Sequence, residues 1–281
     1  MSFGGFGPLL SKATEANPYY LAINPKVSPW TYAGMSVGVL TFVVASPHIV
    51  MRLFTAKNVK AGRAALSLTA ALTLIFHLFG YLGVAAAAIV MFPTIANADN
   101  TFIQVMNAMW PALLRGLAVA AIMAAIMSTT GGMLLAVGAE VSNNIYGRYL
   151  RKDAADSRTV FIGQATLLVV GVLTLILAVN QTQSIGVIVG LLVEGVGSAL
   201  LVPMLAGVWW FRANLTGAVA SSIGGFAAFC IVHFMVPIPQ FAEILISLPV
   251  SILCMVVGSL MTPPPSGRQL KLLEEMHRAI T

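Results

Sequence analysis

Long apolar runs separated by short polar links set the pattern of this chain. Seven runs stand out: Thr31 to Met51, Ala64 to Phe92, Pro111 to Ile145, Val160 to Val179, Ile185 to Phe211, Leu215 to Val236 and Phe241 to Met261. A helix needs about 20 apolar residues to cross the hydrocarbon core of a bilayer, and each run meets that length. A membrane β-strand would instead alternate apolar and polar positions, whereas Leu117 to Met127 contains no polar residue at all. Backbone groups in lipid must find their partners within the segment. The pattern therefore predicts an all-α integral membrane protein with about seven transmembrane helices. The third run is too long for one straight crossing, even with tilt, and is expected to project beyond the bilayer and end near Tyr149. The tail opens with prolines at 263, 264 and 265. It then places Leu270, Leu273, Met276 and Ile280 at helical spacing, which fits either a short helix on the membrane surface or a solvated tail.

Composition agrees. Of 281 residues, 58% are hydrophobic and only 9% are charged, with a mean hydropathy of +0.91. Soluble domains carry about 25% charged residues, and a water-soluble fold of this size could not hide so much apolar surface. Soluble enzymes, nucleic-acid binders and disordered chains are excluded on that ground. The net charge of +6 is an orientation signal rather than a nucleic-acid footprint. Twelve of the fifteen basic residues fall in the links after the first, third, fifth and seventh runs; only Lys12, Lys26 and Arg115 lie on the other side. Cytoplasmic loops collect Lys and Arg. The chain is expected in the cell membrane with its N-terminus outside and its C-terminus in the cytoplasm. The expected organisation is an extracytoplasmic segment over 1–30, a transmembrane domain over 31–261 and a cytoplasmic tail over 262–281. The first 30 residues lack a short apolar core with a basic start, so no cleavable signal peptide is expected. Cys230 and Cys254 both sit in apolar runs and suggest neither a disulfide framework nor a metal site.

The segment from Ala124 to Gly132 holds the most informative polarity. Ser128, Thr129 and Thr130 stand together inside a long apolar helix, followed by Gly131 and Gly132. Hard cations take oxygen ligands, and adjacent hydroxyls with the Ala125 carbonyl one turn earlier would offer three to a sodium ion. The same residues also suit back-bonding to their own helix or close helix packing. Glu194 lies among glycines at 190, 195 and 197, which would permit a local helix break of the kind transporters use near the midplane. A protonated Glu194 bonded to a neighbouring helix is the other reading. Glu140 lies close enough to an interface to snorkel or pair. His48, His77 and His233 occupy separate runs with no ligand spacing, and Arg115 suits an interfacial anchor. No phosphate-cradling loop, HExxH motif or nucleophile elbow occurs, so no catalytic residue and no enzyme activity are expected.

Several of these segments together resemble the sodium:solute symporter family, most closely its sodium/pantothenate branch. They are Ser46-Pro47-His48-Ile49-Val50-Met51-Arg52 with Lys57 beyond, Ala124-Ala125-Ile126-Met127-Ser128-Thr129, Ile145-Tyr146, and Trp210-Phe211-Arg212-Ala213-Asn214 followed by Gly217-Ala218. The resemblance implies the second inverted repeat of a leucine-transporter-like fold plus two peripheral helices, the last seven of thirteen spans. It implies sodium-coupled symport of a small organic solute, a carboxylate such as pantothenate or a monocarboxylate, with sodium as coupling ion and no cofactor. The sodium ligands would be the Ala125 carbonyl and the Ser128 and Thr129 hydroxyls, and Gly190 and Glu194 would line the solute pathway. The first repeat would have to come from an N-terminal half acting as partner. Three positions depart from the family pattern: Gly131 and Gly132 stand where a polar pair is usual, and Glu140 where a small neutral residue is usual.

Two alternatives stay open on topology alone. A seven-helix receptor fits the span count and orientation, although a retinal pigment would need a lysine in the last run, and Phe241 to Met261 has none. A non-transporting accessory or remnant membrane protein fits as well.

Overall fold

A computed structural model describes residues 3–46, 49–50, 55–94, 97–151 and 156–278. Among them the regular structure is helical, with no strand. In chain order the helices are α1 (Phe6–Ala16), α2 (Pro29–Ala45), α3 (Val59–Met91), α4 (Thr101–Met109), α5 (Ala112–Leu150), α6 (Asp156–Val179), α7 (Ile185–Trp209), α8 (Leu215–Met235), α9 (Ile244–Leu260) and α10 (Gly267–Arg278). All seven apolar runs form helices. Five are long and apolar enough to cross a membrane; α2 and α9, at 17 residues each, are shorter apolar helices. Pro47, His48, Met51 and Arg52 of the first motif lie outside the described residues.

The helix ends follow from local chemistry. Ser28 and Pro29 open α2, the serine side chain accepting from the Trp30 amide and the proline occupying a first-turn position that needs no N–H. Asn58 and Asn214 cap α3 and α8 in the same way. The 39 residues of α5 amount to about 58 Å at 1.5 Å per residue, well beyond a 30 Å hydrocarbon core, and the helix ends at Leu150, next to the expected Tyr149. Its last 11 residues, Glu140–Leu150, are wound as a π-helix. There Glu140 accepts a hydrogen bond from the Asn144 amide at 2.6 Å, within its own helix.

The chain divides into two compact units, one of residues 1–22 and 55–184, the other of 23–54 and 185–281. In the first, α1 packs on the second half of α3 around Leu9, Ala13, Ala86, Ala87, Ala88 and Val105. Helix α1 was not legible as an element because its 11 residues fall short of a span. Tyr20 donates to the Leu82 carbonyl, and burial pushes its phenol above the ordinary value, so it remains a donor. Helices α5 and α6 meet where Gly138 lies against the Gly163 carbonyl and Leu167.

The second unit is built on small residues. Gly217, Ser221 and Gly225 recur every four residues on α8, and Ser247, Ser251, Met255 and Ser259 do so on α9. With no hydrophobic drive between helices in lipid, such stripes allow the close approach that holds them together. Ser221 and Ser251 hydroxyls are 2.9 Å apart, and Ser251 also donates to the Ser221 carbonyl at 3.1 Å. Helix α7 runs unbroken past Glu194, against the expected break. Its glycines serve contact instead: Gly190 lies under the Phe241 ring, Gly195 against Phe229 and Gly197 against Thr41. The tail is helical, as one of its two readings expected, and His277 of α10 packs on Trp209 and Phe211 at centroid distances of 5.4 and 5.5 Å.

Glycine-to-alanine substitutions separate contact from propensity. At Gly225 an added methyl meets the Ser198 carbonyl and Ser251, whereas at Gly207 on α7 nothing lies within 4 Å. Gly225→Ala is expected to lower stability by about 1–3 kcal/mol, the usual cost of overpacking. Gly207→Ala should be neutral or gain up to about 1 kcal/mol from helix propensity. Thermal unfolding of the purified chain in detergent reads both.

Candidate functional site

Ala125, Ser128 and Thr129 lie at i, i+3 and i+4 spacing on one side of α5, all three exposed, so the helix presents them as a single patch. Several hydroxyls elsewhere in the chain bond back to their own helix. Thr14, Ser36, Thr41, Thr166 and Thr174 each donate to a carbonyl three or four residues earlier, at 2.8–3.2 Å. Among the described residues no side-chain hydrogen bond is made by Ser128 or Thr129.

Polar groups converge instead around Glu194, in the second unit. Glu194 is 1% exposed. One of its oxygens accepts the backbone N–H of Ile244, the first residue of α9, at 3.2 Å, where the positive end of the helix dipole favours an acceptor. Its carboxyl also faces that of Glu243, which precedes Ile244. Glu243 in turn is bonded to His233 Nδ1 of α8 at 2.9 Å. Close by, Ser198 and Ser247 hydroxyls lie 2.6 Å apart, both fully buried. Gly38 and Thr41 of α2 close the other side: a Cβ at Gly38 would sit 3.2 Å from the Glu194 side chain.

Gly190 and Glu194 do share a face of α7, as expected, but Phe241 covers it. Phe241 takes a left-handed backbone with φ of 65°, a conformation that costs a non-glycine residue about 1–2 kcal/mol. Its ring lies on Gly190 and its carbonyl fills the space where a side chain at Gly34 would stand. The sequence reading missed Glu243 and the serine pairs. The four-residue serine stripe on α9 was a readable signal for the pairs. Glu243 could have been linked to His233 through the short connection between α8 and α9, since such links keep helix ends together. His77 bonds to its own helix, at the Thr73 carbonyl; His48 lies outside the described residues.

A family model for the sodium:solute symporter family matches residues 1–225. The chain belongs to that family. It is 28% identical to the osmoregulated proline transporter OpuE of Bacillus subtilis over 99% of its own length and 57% of that protein's. It is 31% identical to the sodium/proline symporter of Escherichia coli over 46% of its length and 26% of that protein's. The monocarboxylic acid transporter of Corynebacterium glutamicum is 27% identical over 68% of this chain and 36% of its own. The chain thus spans little more than half the length of the relatives it matches. No solved structure matches it. The relatives are transporters, not enzymes, and the receptor alternative falls with the family assignment.

The Ser198–Ser247 pair gives a direct measure of how this cluster is held. A double-mutant cycle of Ser198→Ala and Ser247→Ala should show a coupling of about 0.6–1.7 kcal/mol, the range for interhelical hydrogen bonds in membrane proteins. Thermal unfolding in detergent of the two single variants and the double variant reads it, and strict additivity would contradict a shared bond.

Proposed function

We propose that the chain supplies one side of the sodium site and part of the solute pathway of a sodium-coupled symporter for a small organic carboxylate. Membership of the family supports sodium as the coupling ion. The relatives named as proline and monocarboxylic acid transporters act on solutes that bear a carboxylate. Pantothenate, the solute of the branch its motifs resemble most, bears one too.

The observation that carries this reading is the state of the Ser128 and Thr129 hydroxyls. These two hydroxyls make no hydrogen bond among the described residues and lie exposed on the same side as Ala125, on an apolar helix where polar groups are costly. Three oxygens fall short of the six or so that hard cations take. The remaining ligands would come from a first repeat, supplied by an N-terminal half that packs on this patch. In that arrangement the seven apolar helices make the second repeat of a leucine-transporter-like core with two peripheral helices. The basic residues support an N-terminus outside and a C-terminal tail in the cytoplasm. Gly190 and Glu194 line the solute path, with Phe241 as the residue that must move to open it. Sodium would stabilise the outward-open state and the bundle would rock to release ion and solute inside.

Sodium-dependent uptake of labelled proline, a monocarboxylate and pantothenate tests the proposal, in cells making this chain alone and with a matching N-terminal half. Uptake is expected only from the pair. Ser128→Ala and Thr129→Ala should each raise the half-saturating sodium concentration about tenfold or more, equivalent to about 1.4 kcal/mol. Unchanged sodium dependence in both variants would remove them as ligands.

A further inference from the structure

The polar cluster at the start of α9 contains more acceptors than donors. Glu194 is 1% exposed and Glu243 4%. Each carboxyl uses one oxygen, Glu194 for the Ile244 amide and Glu243 for His233. Each leaves its other oxygen, Oε1 of Glu194 and Oε2 of Glu243, buried without a hydrogen-bond partner among the described residues, and the amide that Glu194 accepts belongs to Ile244, the residue next to Glu243. Two ionised carboxylates have no donor to offer each other. Side by side in an apolar interior they cannot both remain charged.

Among the described residues, no Lys or Arg is bonded to either carboxyl to balance a second charge. From α2, Gly38 lies against the Glu194 side chain and Thr41 against Gly197, and the Thr41 hydroxyl donates to the Gly38 carbonyl. From α9 they are Glu243 and the Ile244 N–H; from α8 the titratable group is His233, reached through Glu243. On α7 itself Ser198 is engaged with Ser247. One net negative charge is well served by the α9 N-terminus and His233; two are not. A hard metal ion would want about six oxygens, and the structure presents two unused ones.

We propose that Glu194 and Glu243 form a proton-binding site, the pair holding one proton at neutral pH, with His233 bonded to Glu243. The proton leaves the pair with a single charge. Unfolding frees both carboxyls to ionise in water, so the folded state binds the extra proton. Stability then falls as pH rises through the range in which the pair loses it. This site shares Glu194 with the proposed solute path but neither sodium ligand, and a readout of protonation separates its failure from a failure of sodium-coupled uptake.

Infrared spectroscopy of the full chain in lipid nanodiscs, with the glutamates isotopically labelled, reads protonation without transport. Wild type at neutral pH should show one protonated-carboxyl band that is lost on titration to alkaline pH. The band should be absent in Glu194→Gln and in Glu243→Gln, because the introduced amide donates to the remaining carboxylate. Thermal stability of wild type should fall on going to alkaline pH, and that of Glu194→Gln should fall less. A wild-type spectrum without the band at neutral pH would overturn the proposal even if neither variant folds. So would a band that survives in either variant, or one that saturating sodium removes at constant pH, since the site would then take a metal ion.

Discussion

A carboxylate buried in an apolar helix has no water to lean on, and in the second unit the packing turns on what Glu194 touches instead. Isolated ionised groups in such surroundings cost several kcal/mol or change protonation state. Glu194 meets the first amide of α9, the Glu243 carboxyl and, through it, His233. Those contacts require α2, α7, α8 and α9 to approach closely at one point. The glycines and serines of the seam are what make that approach possible. Gly38 and Gly197 let α2 lie on α7, while Gly225 lets α8 reach the Ser198 carbonyl. Small-residue packing and buried polarity are two sides of one solution: helices must be near each other for the hydrogen bonds, and the bonds reward nearness where lipid offers no hydrophobic drive.

The fold was largely legible because the membrane imposes a length on every spanning helix, and apolar length is written directly in the sequence. All seven runs became helices with ends shifted by a few residues, at caps such as Asn214 or prolines such as Pro29. Helices α1 and α4 escaped because short amphipathic segments carry no such length signal. Glu194 was legible as an anomaly, but its partners were not, since Ile244 stands fifty residues away and only the fold joins them. The same blindness explains the glycines around it. Read locally, Gly190, Gly195 and Gly197 weaken a helix; in the folded chain each faces a side chain from another element, Phe241, Phe229 or Thr41. Their value lies in the partner, which the local sequence does not name.

The setting of the serines and threonines bears on function. In the α7–α8–α9 seam Ser198 is paired with Ser247 and Ser221 with Ser251, while Ser259 is buried without a partner among the described residues. The paired hydroxyls act as adhesive between helices. Ser128 and Thr129 are neither buried nor paired, and do not fold back onto α5 as Thr166 and Thr174 do onto α6. A hydroxyl carries two lone pairs whether or not its proton is engaged, so the case for an ion rests on Ser128 and Thr129 sharing one exposed side of α5 with the Ala125 carbonyl.

The two polar centres therefore answer opposite shortages. The α5 patch offers lone pairs to a positive ion but lacks enough of them, so its completion depends on oxygens from another segment of protein. The Glu194 centre has an excess of acceptors and lacks one donor, a deficit that a single proton removes without any further protein. That difference follows from the residue types alone: hydroxyls can turn a lone pair outward at little cost, whereas two facing carboxyls must resolve their repulsion on the spot. The sodium site we propose would consequently await ligands from elsewhere, while the proposed carboxyl pair would take up its proton wherever the α7 to α9 seam is folded.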